Sequence, residues 1–135
     1  MIDILNIIYT TLSKNDIIHT TCEERIKYYD FPSTGDSNKT FLLIIPLDVP
    51  VPTNFSSNEA MWEDFLVQID VQSDNRLDVQ SDNRLIVKQI QEEVRKEMKR
   101  IGFGQLAGGL DEYFPETGRF VDARKYSGLP YKLYQ

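Results

Sequence analysis

The chain has 135 residues, 41% of them hydrophobic and 27% charged, which is the composition of an ordinary globular domain with one core. Its formal net charge of −6 argues against nucleic-acid binding through a general basic surface, because phosphate contacts need clustered lysine and arginine. Cys22 is the only cysteine, so an internal disulfide is excluded and a structural zinc site is disfavoured.

The N-terminal stretch MIDILNIIYTTL carries an acidic residue where a secretory signal peptide would carry basic ones. No run approaches the roughly 20 apolar residues that a membrane-spanning helix needs. We therefore expect a protein without a membrane segment, kept in a cytosol or packed into a particle that is assembled there.

Residues 3–14 are predicted to form the first helix, with Asp3 as its N-terminal cap and Asn15-Asp16 at its end. Four apolar residues recur at helical spacing and define one face: Ile4, Leu5, Ile8 and Leu12. A strand is the alternative, because isoleucine and threonine are frequent here, but the period favours the helix.

Residues 17–31 are predicted to contain a strand that ends at Phe31-Pro32, because proline moves the preceding residue away from helical angles. The segment STGDSNK that follows is rich in turn residues. Residues 40–49 form a short apolar run between turns, which predicts a strand buried on both faces. Pro46 cannot donate a backbone hydrogen bond, so we expect an edge position or a bulge there.

A loop and an alternating strand come next. Residues 50–58 are rich in proline and serine, and an exposed Phe55 within them suggests a binding loop. Residues 60–72 alternate between apolar and polar side chains, which predicts a half-buried strand. Its core face is expected to carry four apolar residues: Phe65, Val67, Ile69 and Val71.

The octapeptide DVQSDNRL occurs at residues 70–77 and again, identically, at residues 78–85. Two copies are too few for a solenoid, so a recent duplication or an artefact of the expressed sequence explains them better. We expect the first copy to extend the strand into a turn at residues 73–76, and the second to lead into the next helix. A short return strand at residues 77–80 would lie between them.

Residues 85–102 show the clearest helical pattern, with Ser81 or Asp82 available as an N-terminal cap and Gly102 as a left-handed C-terminal cap. Apolar residues at spacings of three and four form a stripe, widened by one neighbour: Ile86, Val87, Ile90, Val94, Met98 and Ile101. A helix with one apolar stripe must pack against another element, and the flanking segments read as strands.

The opposite face of this helix is polar and carries most of the candidate interface residues. Gln91 is placed on it, and Glu92 is expected to pair with Lys96 four residues later. Four cations form what we call the basic face: Arg95, Lys96, Lys99 and Arg100. These cations could contact an acidic surface of a neighbouring subunit, and the alternative is an ordinary solvated helix face.

The glycine-rich residues 103–110 favour a bend or bulge over a long strand. A hairpin is predicted next, with strands at residues 110–114 and 119–126 joined by the turn Pro115–Gly118. The order of elements is therefore helix, two or three strands, long helix and hairpin. This order predicts a single α+β domain: a mostly antiparallel sheet of four to five strands with two helices packed on one face.

No catalytic or cofactor-binding pattern stands out. His19 lies three residues from Cys22, but in a strand such residues face opposite sides, which disfavours a catalytic pair. Adjacent acids, which usually mark a solvated surface, occur at four places: Glu23-Glu24, Glu63-Asp64, Glu92-Glu93 and Asp111-Glu112. The glycines follow a helix and lack the lysine of a phosphate loop. We therefore predict a protein that is not an enzyme and binds no metal or cofactor.

The segment DEYFPETGRFVDARKYSG resembles the C-terminal hairpin of tail-completion and tail-terminator proteins, which act in head-tail joining in long-tailed bacteriophages. In that family an acidic, tyrosine-containing strand precedes a P-x-T-G turn and a strand of alternating charge and apolarity. The matching residues are Tyr113, Pro115, Thr117, Gly118, Arg119, Phe120 and Tyr126. The layout also agrees, with a strand at Phe65–Val71 before a helix that ends in Ile101-Gly102-Phe103, whereas the repeat departs from the pattern.

This resemblance implies a structural role in a virion that is assembled in the bacterial host cytoplasm. The protein would form a ring with copies of itself, often a hexamer, and contact tail-tube or head-connector proteins. It would cap or complete the tail tube, without catalysis or a cofactor. The alternative is a small non-enzymatic binding or regulatory protein that uses residues 50–58 and the tyrosine-rich C-terminus, including Tyr131 and Tyr134.

Overall fold

A computed structural model of the chain describes residues 3–30, 39–47, 52–54, 61–62, 65–74, 83–116 and 118–128. The helices of this part of the chain are α1 (Ile4–Ser13), α2 (Asp16–Cys22) and α3 (Asn83–Arg100). Its strands are β1 (Ile26–Tyr28), β2 (Phe41–Pro46), β3 (Pro52–Asn54), β4 (Met61–Trp62), β5 (Phe65–Asp74), β6 (Phe103–Gln105), β7 (Leu110–Phe114) and β8 (Arg119–Gly128).

Six strands form one sheet in the order β1-β2-β5-β8-β6, and β7 pairs with β8 on the same side as β6. The β1–β2 pair is parallel and the other pairs of this sheet are antiparallel. The predicted α+β class with a mostly antiparallel sheet is therefore confirmed. The described part has six sheet strands and three helices, more than predicted, because elements as short as β6 and α2 leave little period in a sequence.

The helices cover one face of the sheet and enclose the main core with it. In β5 the predicted alternation is confirmed, with four buried side chains in this core: Phe65, Val67, Ile69 and Val71. The first predicted helix is also confirmed, since α1 places Ile8 and Leu12 in the same core. Asp3 caps α1 as expected, accepting a hydrogen bond from the backbone amide of Asn6 at 3.1 Å.

The region after α1 differs from its prediction, because residues 16–22 are helical and not part of a strand. Asn15 ends the first helix but also starts the second: its side chain accepts from the amides of Ile17 and Ile18. Ile18 and Cys22, four residues apart, then face the core from α2. The cap and this spacing outweigh the strand preference of isoleucine and threonine, and the strand is reduced to β1.

Strand β2 matches its prediction of burial on both faces. Leu42 and Ile44 belong to the helix-side core, while Phe41 and Leu43 are buried on the opposite face. Leu42 donates its amide to the carbonyl of Arg25, the residue before β1, so by alternation Pro46 has its nitrogen on that same side, beyond the end of β1. Its missing donor therefore costs no ladder bond, as the predicted edge position requires.

In two segments before and within β5, the strands have different limits from those predicted. Pro52–Asn54 lies within the predicted loop, yet it forms β3 and pairs antiparallel with Met61–Trp62. The predicted strand at residues 60–72 is thus two strands, β4 and β5, that belong to different sheets.

The duplicated octapeptide meets both β5 and α3. Strand β5 continues through Ser73 and Asp74, which pair with β8, so the turn predicted at residues 73–76 begins too early. Helix α3 begins at Asn83, inside the second copy. The predicted return strand at residues 77–80 and the caps Ser81 and Asp82 lie outside the described residues.

Strand β8 is the centre of the C-terminal half, as it pairs with β5 along its whole length and with β7 and β6 on its other side. It reaches Gly128, two residues beyond its predicted end. Gly128 lies between Phe65 and Phe103, whose rings meet edge to face with centroids 6.4 Å apart. A side chain there would collide with the Phe103 ring, which would lie 2.7 Å from a Cβ atom.

Helix α3 packs across β5, β6 and β8, and its buried arc is rotated relative to the predicted stripe. Val87 and Gln91 are fully buried, whereas Ile86 is only half-buried. The placement of Gln91 on the polar face is therefore wrong. The apolar period of a sequence predicts which apolar side chains are buried. It does not predict that the Gln91 side-chain amide is buried because backbone carbonyl groups of the sheet accept its hydrogen bonds.

Candidate interaction surface

The structure brings the basic face together on the C-terminal half of α3, with each of three cations bonded to a glutamate three residues earlier. Arg95 contacts Glu92, with its Nε 3.1 Å from the carboxylate. Lys96 lies 3.2 Å from Glu93, and Arg100 reaches Glu97 at 2.7 Å (in each case between side-chain nitrogen and oxygen). The Glu92–Lys96 pair expected from the sequence is wrong, because Glu92 pairs with Arg95.

The cations of two of these pairs project farther into solvent than their partners. The Lys96 and Arg100 side chains are 60% and 66% exposed, while those of Glu93 and Glu97 are 16% and 19% exposed. Both glutamates accept a hydrogen bond from the side-chain amide of Asn15, the residue that caps the start of α2.

Lys99 is also exposed and makes no ion pair with any other described residue. The outer surface at this end of α3 is therefore cationic, and the helix as a whole carries six basic residues against three glutamates.

Hydrogen bonds explain the acidity of these glutamates. The pKa of Glu97 is lowered chiefly by the hydrogen bond from Asn15, which outweighs the opposing effect of burial, and the hydrogen bond and charge of Arg100 lower it further. The pKa of Glu92 is lowered chiefly by the hydrogen bond from Arg95. Both carboxylates therefore stay ionised at neutral pH and hold their arginines in place.

A second charged region connects α3 to the C-terminal hairpin. Lys88 contacts the carboxylate of Asp111 in β7 and lies 3.6 Å from that of Asp122 in β8. Asp122 is buried and also accepts from Arg124 Nε at 2.9 Å. One buried carboxylate with two cations beside it fixes the hairpin against the helix.

The two acids of β7 point to opposite faces of the sheet. Asp111 pairs in register with Asp122 and so faces α3, whereas Glu112 pairs with Val121 on the face away from the helices. Glu112 is exposed, as is Glu116 in the following turn. We call Asp111, Glu112 and Glu116 the acidic edge, since β7 has no strand beyond it among the described residues.

The hairpin motif that carries the family resemblance has a clear structural role. Gly118, with φ of 71°, makes the turn between β7 and β8. Tyr113 packs on Phe120 with ring centroids 4.9 Å apart, and the Arg119 guanidinium lies 5.1 Å from the centre of the Phe41 ring. Tyr126 is fully buried, and this burial raises the pKa of its hydroxyl to about 12.

His19 and Cys22 do not form a reactive pair. The sequence argument assumed a strand, but both residues are in α2, where His19 is exposed and Cys22 is fully buried. Burial raises the pKa of the Cys22 thiol to about 12, against a weaker opposing effect of Arg25. The thiol is therefore protonated at neutral pH and a poor nucleophile.

The remaining sequence candidates divide by position. Within the described residues, no three metal-ligating side chains cluster, and no helix is long and apolar enough to cross a bilayer. Phe55, Tyr131, Tyr134 and the acid pair Glu63-Asp64 lie outside the described part of the chain. The interface role of Phe55, Tyr131, Tyr134 and the basic face stays a prediction.

Asp122 is a charged residue that the sequence did not single out. Its signal was weak, because an aspartate beside alanine in an alternating strand reads as solvent-facing.

Comparisons with known proteins give a likeness of fold. No protein-family model matches the sequence, and a search of curated proteins finds no match. Among solved structures, the chain is similar to a chain in a structure described as the virion of a native gene transfer agent particle. The TM-score is 0.63 over 90% of each chain, at 10% sequence identity. The same fold thus occurs over nearly the whole length of a chain in that virion structure.

Proposed function

We propose that this chain is a single-domain structural subunit of a phage-like virion, and that it caps or completes the tail tube at the head-tail junction. It does so by forming a ring with copies of itself that contacts tail-tube or head-connector proteins. The observation that carries this proposal is the match in fold, over 90% of both chains, to a chain in a gene transfer agent virion.

Two further observations support the proposal. The hairpin that resembles tail-completion and tail-terminator proteins forms a regular β7–β8 pair, and its motif residues make the turn and the aromatic packing. The chain also presents a cationic helix surface and an acidic strand edge, which suit docking between subunits.

Sedimentation of the purified protein, alone and mixed with the tail-tube protein of the same genome, tests this function. We expect a species of several subunits, formed either by the chain alone or on the end of the tube. A chain that remains a monomer in the presence of both tube and connector proteins would contradict the proposal. Isolated monomers that associate once tube is added support it, because a ring can close on its partner.

A further inference from the structure

We propose that the acidic edge of one copy docks on the basic face of the next copy, so that these two surfaces form the contact between neighbouring subunits. This inference rests on the proposed function and names the surfaces that build the ring. The partner is a second copy of this chain, because each copy carries both of the complementary surfaces.

The charges of the two surfaces are opposite and concentrated. Residues 110–116 contain three acids and no base, and all three acids are exposed. The basic face presents Lys96, Lys99 and Arg100 outward, while the glutamates that accompany them are recessed toward α2. Complementary potentials of this kind guide association and fix the relative orientation of partners.

Neither surface can neutralise the other within one chain. The contact of the acidic edge with α3 goes through Lys88, which engages Asp111 near the start of the helix. Glu112 is held on the face of the sheet away from α3 by its register with Val121. The exposed cations lie at the other end of α3, the end that leads directly into β6. The two surfaces are thus free to pair between copies.

The geometry favours a chain of contacts over a two-fold dimer. The acidic edge runs along β7, which has no further strand beyond it among the described residues, whereas the basic face belongs to a helix that covers one face of the sheet. A contact between two different surfaces is heterologous, and repeated heterologous contacts close into a ring when the rotation permits. The exposed Tyr113, 43% accessible on β7, would add apolar area to this contact.

A charge exchange between Glu112 and Lys99 tests the inference. We expect Glu112→Lys and Lys99→Glu each to weaken self-association, alone or on the tail tube, on the order of tenfold. The double variant should recover it. An equimolar mixture of the two single variants should also recover self-association. When the two variants alternate, the lysine introduced at position 112 of one contacts the glutamate introduced at position 99 of the other, and the next contact is that of the wild type.

Lys27→Glu is the matched control, since Lys27 is an exposed lysine on β1 at the opposite edge of the sheet. This variant should associate like the wild type. Circular dichroism and the thermal midpoint should be unchanged in every variant, because both exchanged residues are exposed. Salt of about 1 M, where the Debye length is about 3 Å, should weaken the wild-type assembly.

The outcomes separate this inference from the function on which it rests. If rings form but neither reversal weakens them, or if the mixture fails to recover assembly, the contact is elsewhere and this inference is wrong while the proposed function stands. If the wild-type chain never associates, with or without tail tube, both are wrong.

Discussion

Gln91 joins helix α3 to the middle of the sheet. It is fully buried, and its Nε2 donates to the carbonyl oxygens of Ile69 at 2.9 Å and Asp122 at 2.7 Å. These carbonyls belong to neighbouring strands, β5 and β8, so one side chain holds both strands against the helix. A hydrogen bond between buried groups matters mainly through the cost of losing it.

Gln91→Ala should lower the free energy of unfolding by about 1–3 kcal/mol, since it removes both hydrogen bonds and leaves a space in the interface. Gln89→Ala, two residues away on the exposed side of α3, should change it by less than about 0.5 kcal/mol. Urea unfolding followed by circular dichroism measures both. Equal effects of the two substitutions would show that Gln91 does not hold the helix in place.

Asp70 lies on the opposite face of the sheet, in register with Leu43 and Ala123. Burial raises its pKa above the ordinary value of 3.8, although Gln68 donates a hydrogen bond to it at 2.7 Å. The folded state therefore binds this proton more tightly than the unfolded state does. Stability from this group is present below its ordinary pKa and is lost as the pH rises through the raised pKa.

Asp70→Asn should accordingly match the wild type below pH 3.8 and be the more stable protein at neutral pH. Thermal unfolding at a series of pH values measures the difference. Glu24→Gln, in the exposed turn after α2, is the control and should shift stability by less than about 0.5 kcal/mol. A less stable Asp70→Asn protein at neutral pH would mean that the carboxylate itself is favourable.

At this scale the sequence predicts burial well where side chains are apolar and poorly where they are polar. The core residues of β5 and α1 follow from their periods. The burial of Gln91 and Asp70 does not follow from a period, because it depends on groups that are distant in sequence. Gln91 is bonded to the carbonyl of Asp122. Asp70 lies between Leu43 and Ala123 on the neighbouring strands.

The connection from β6 to β7 requires glycine at the point where it approaches β8. Gly109 has φ of 123°, and a Cβ atom there would lie 2.5 Å from the carbonyl oxygen of Ala123. Gly104, in β6, has no other atom within 4 Å of such a Cβ position. The two glycines are close in sequence but face different constraints.

Gly109→Ala should therefore destabilise the protein by more than about 1 kcal/mol, through backbone strain and the collision with Ala123. Gly104→Ala should be neutral or slightly stabilising, because alanine narrows the unfolded ensemble without a clash. Chemical unfolding of the two variants side by side checks this. Similar stability of both would contradict the tight approach of the loop to β8.

Long helices and strands are predicted from the sequence better than short ones. The long helix, the β7–β8 hairpin and β2 are predicted because period, turn residues and proline agree there. Helix α2 was missed because it is seven residues long and its signal lies in the cap at Asn15. The limits of β5 were missed because register with β8, and not local propensity, decides them.

At the scale of the whole molecule, an acidic protein carries a cationic surface at one end of its longest helix. Net charge of −6 keeps the isolated chains apart at long range, while the local pairing of basic face and acidic edge can still hold them at contact. The basic face was predicted from the sequence. The greater exposure of its cations than of their glutamate partners was not predicted, because it depends on the hydrogen bonds from Asn15 to Glu93 and Glu97.

The central claim is that this chain acts by assembly at the end of a tail tube. The most direct measurement is the length distribution of tubes grown from the purified tail-tube protein, imaged by electron microscopy with and without the chain. We expect added protein to shorten the tubes in proportion to its amount and to leave extra density at one end. Tubes of unchanged length with bare ends, at excess protein, would contradict the claim.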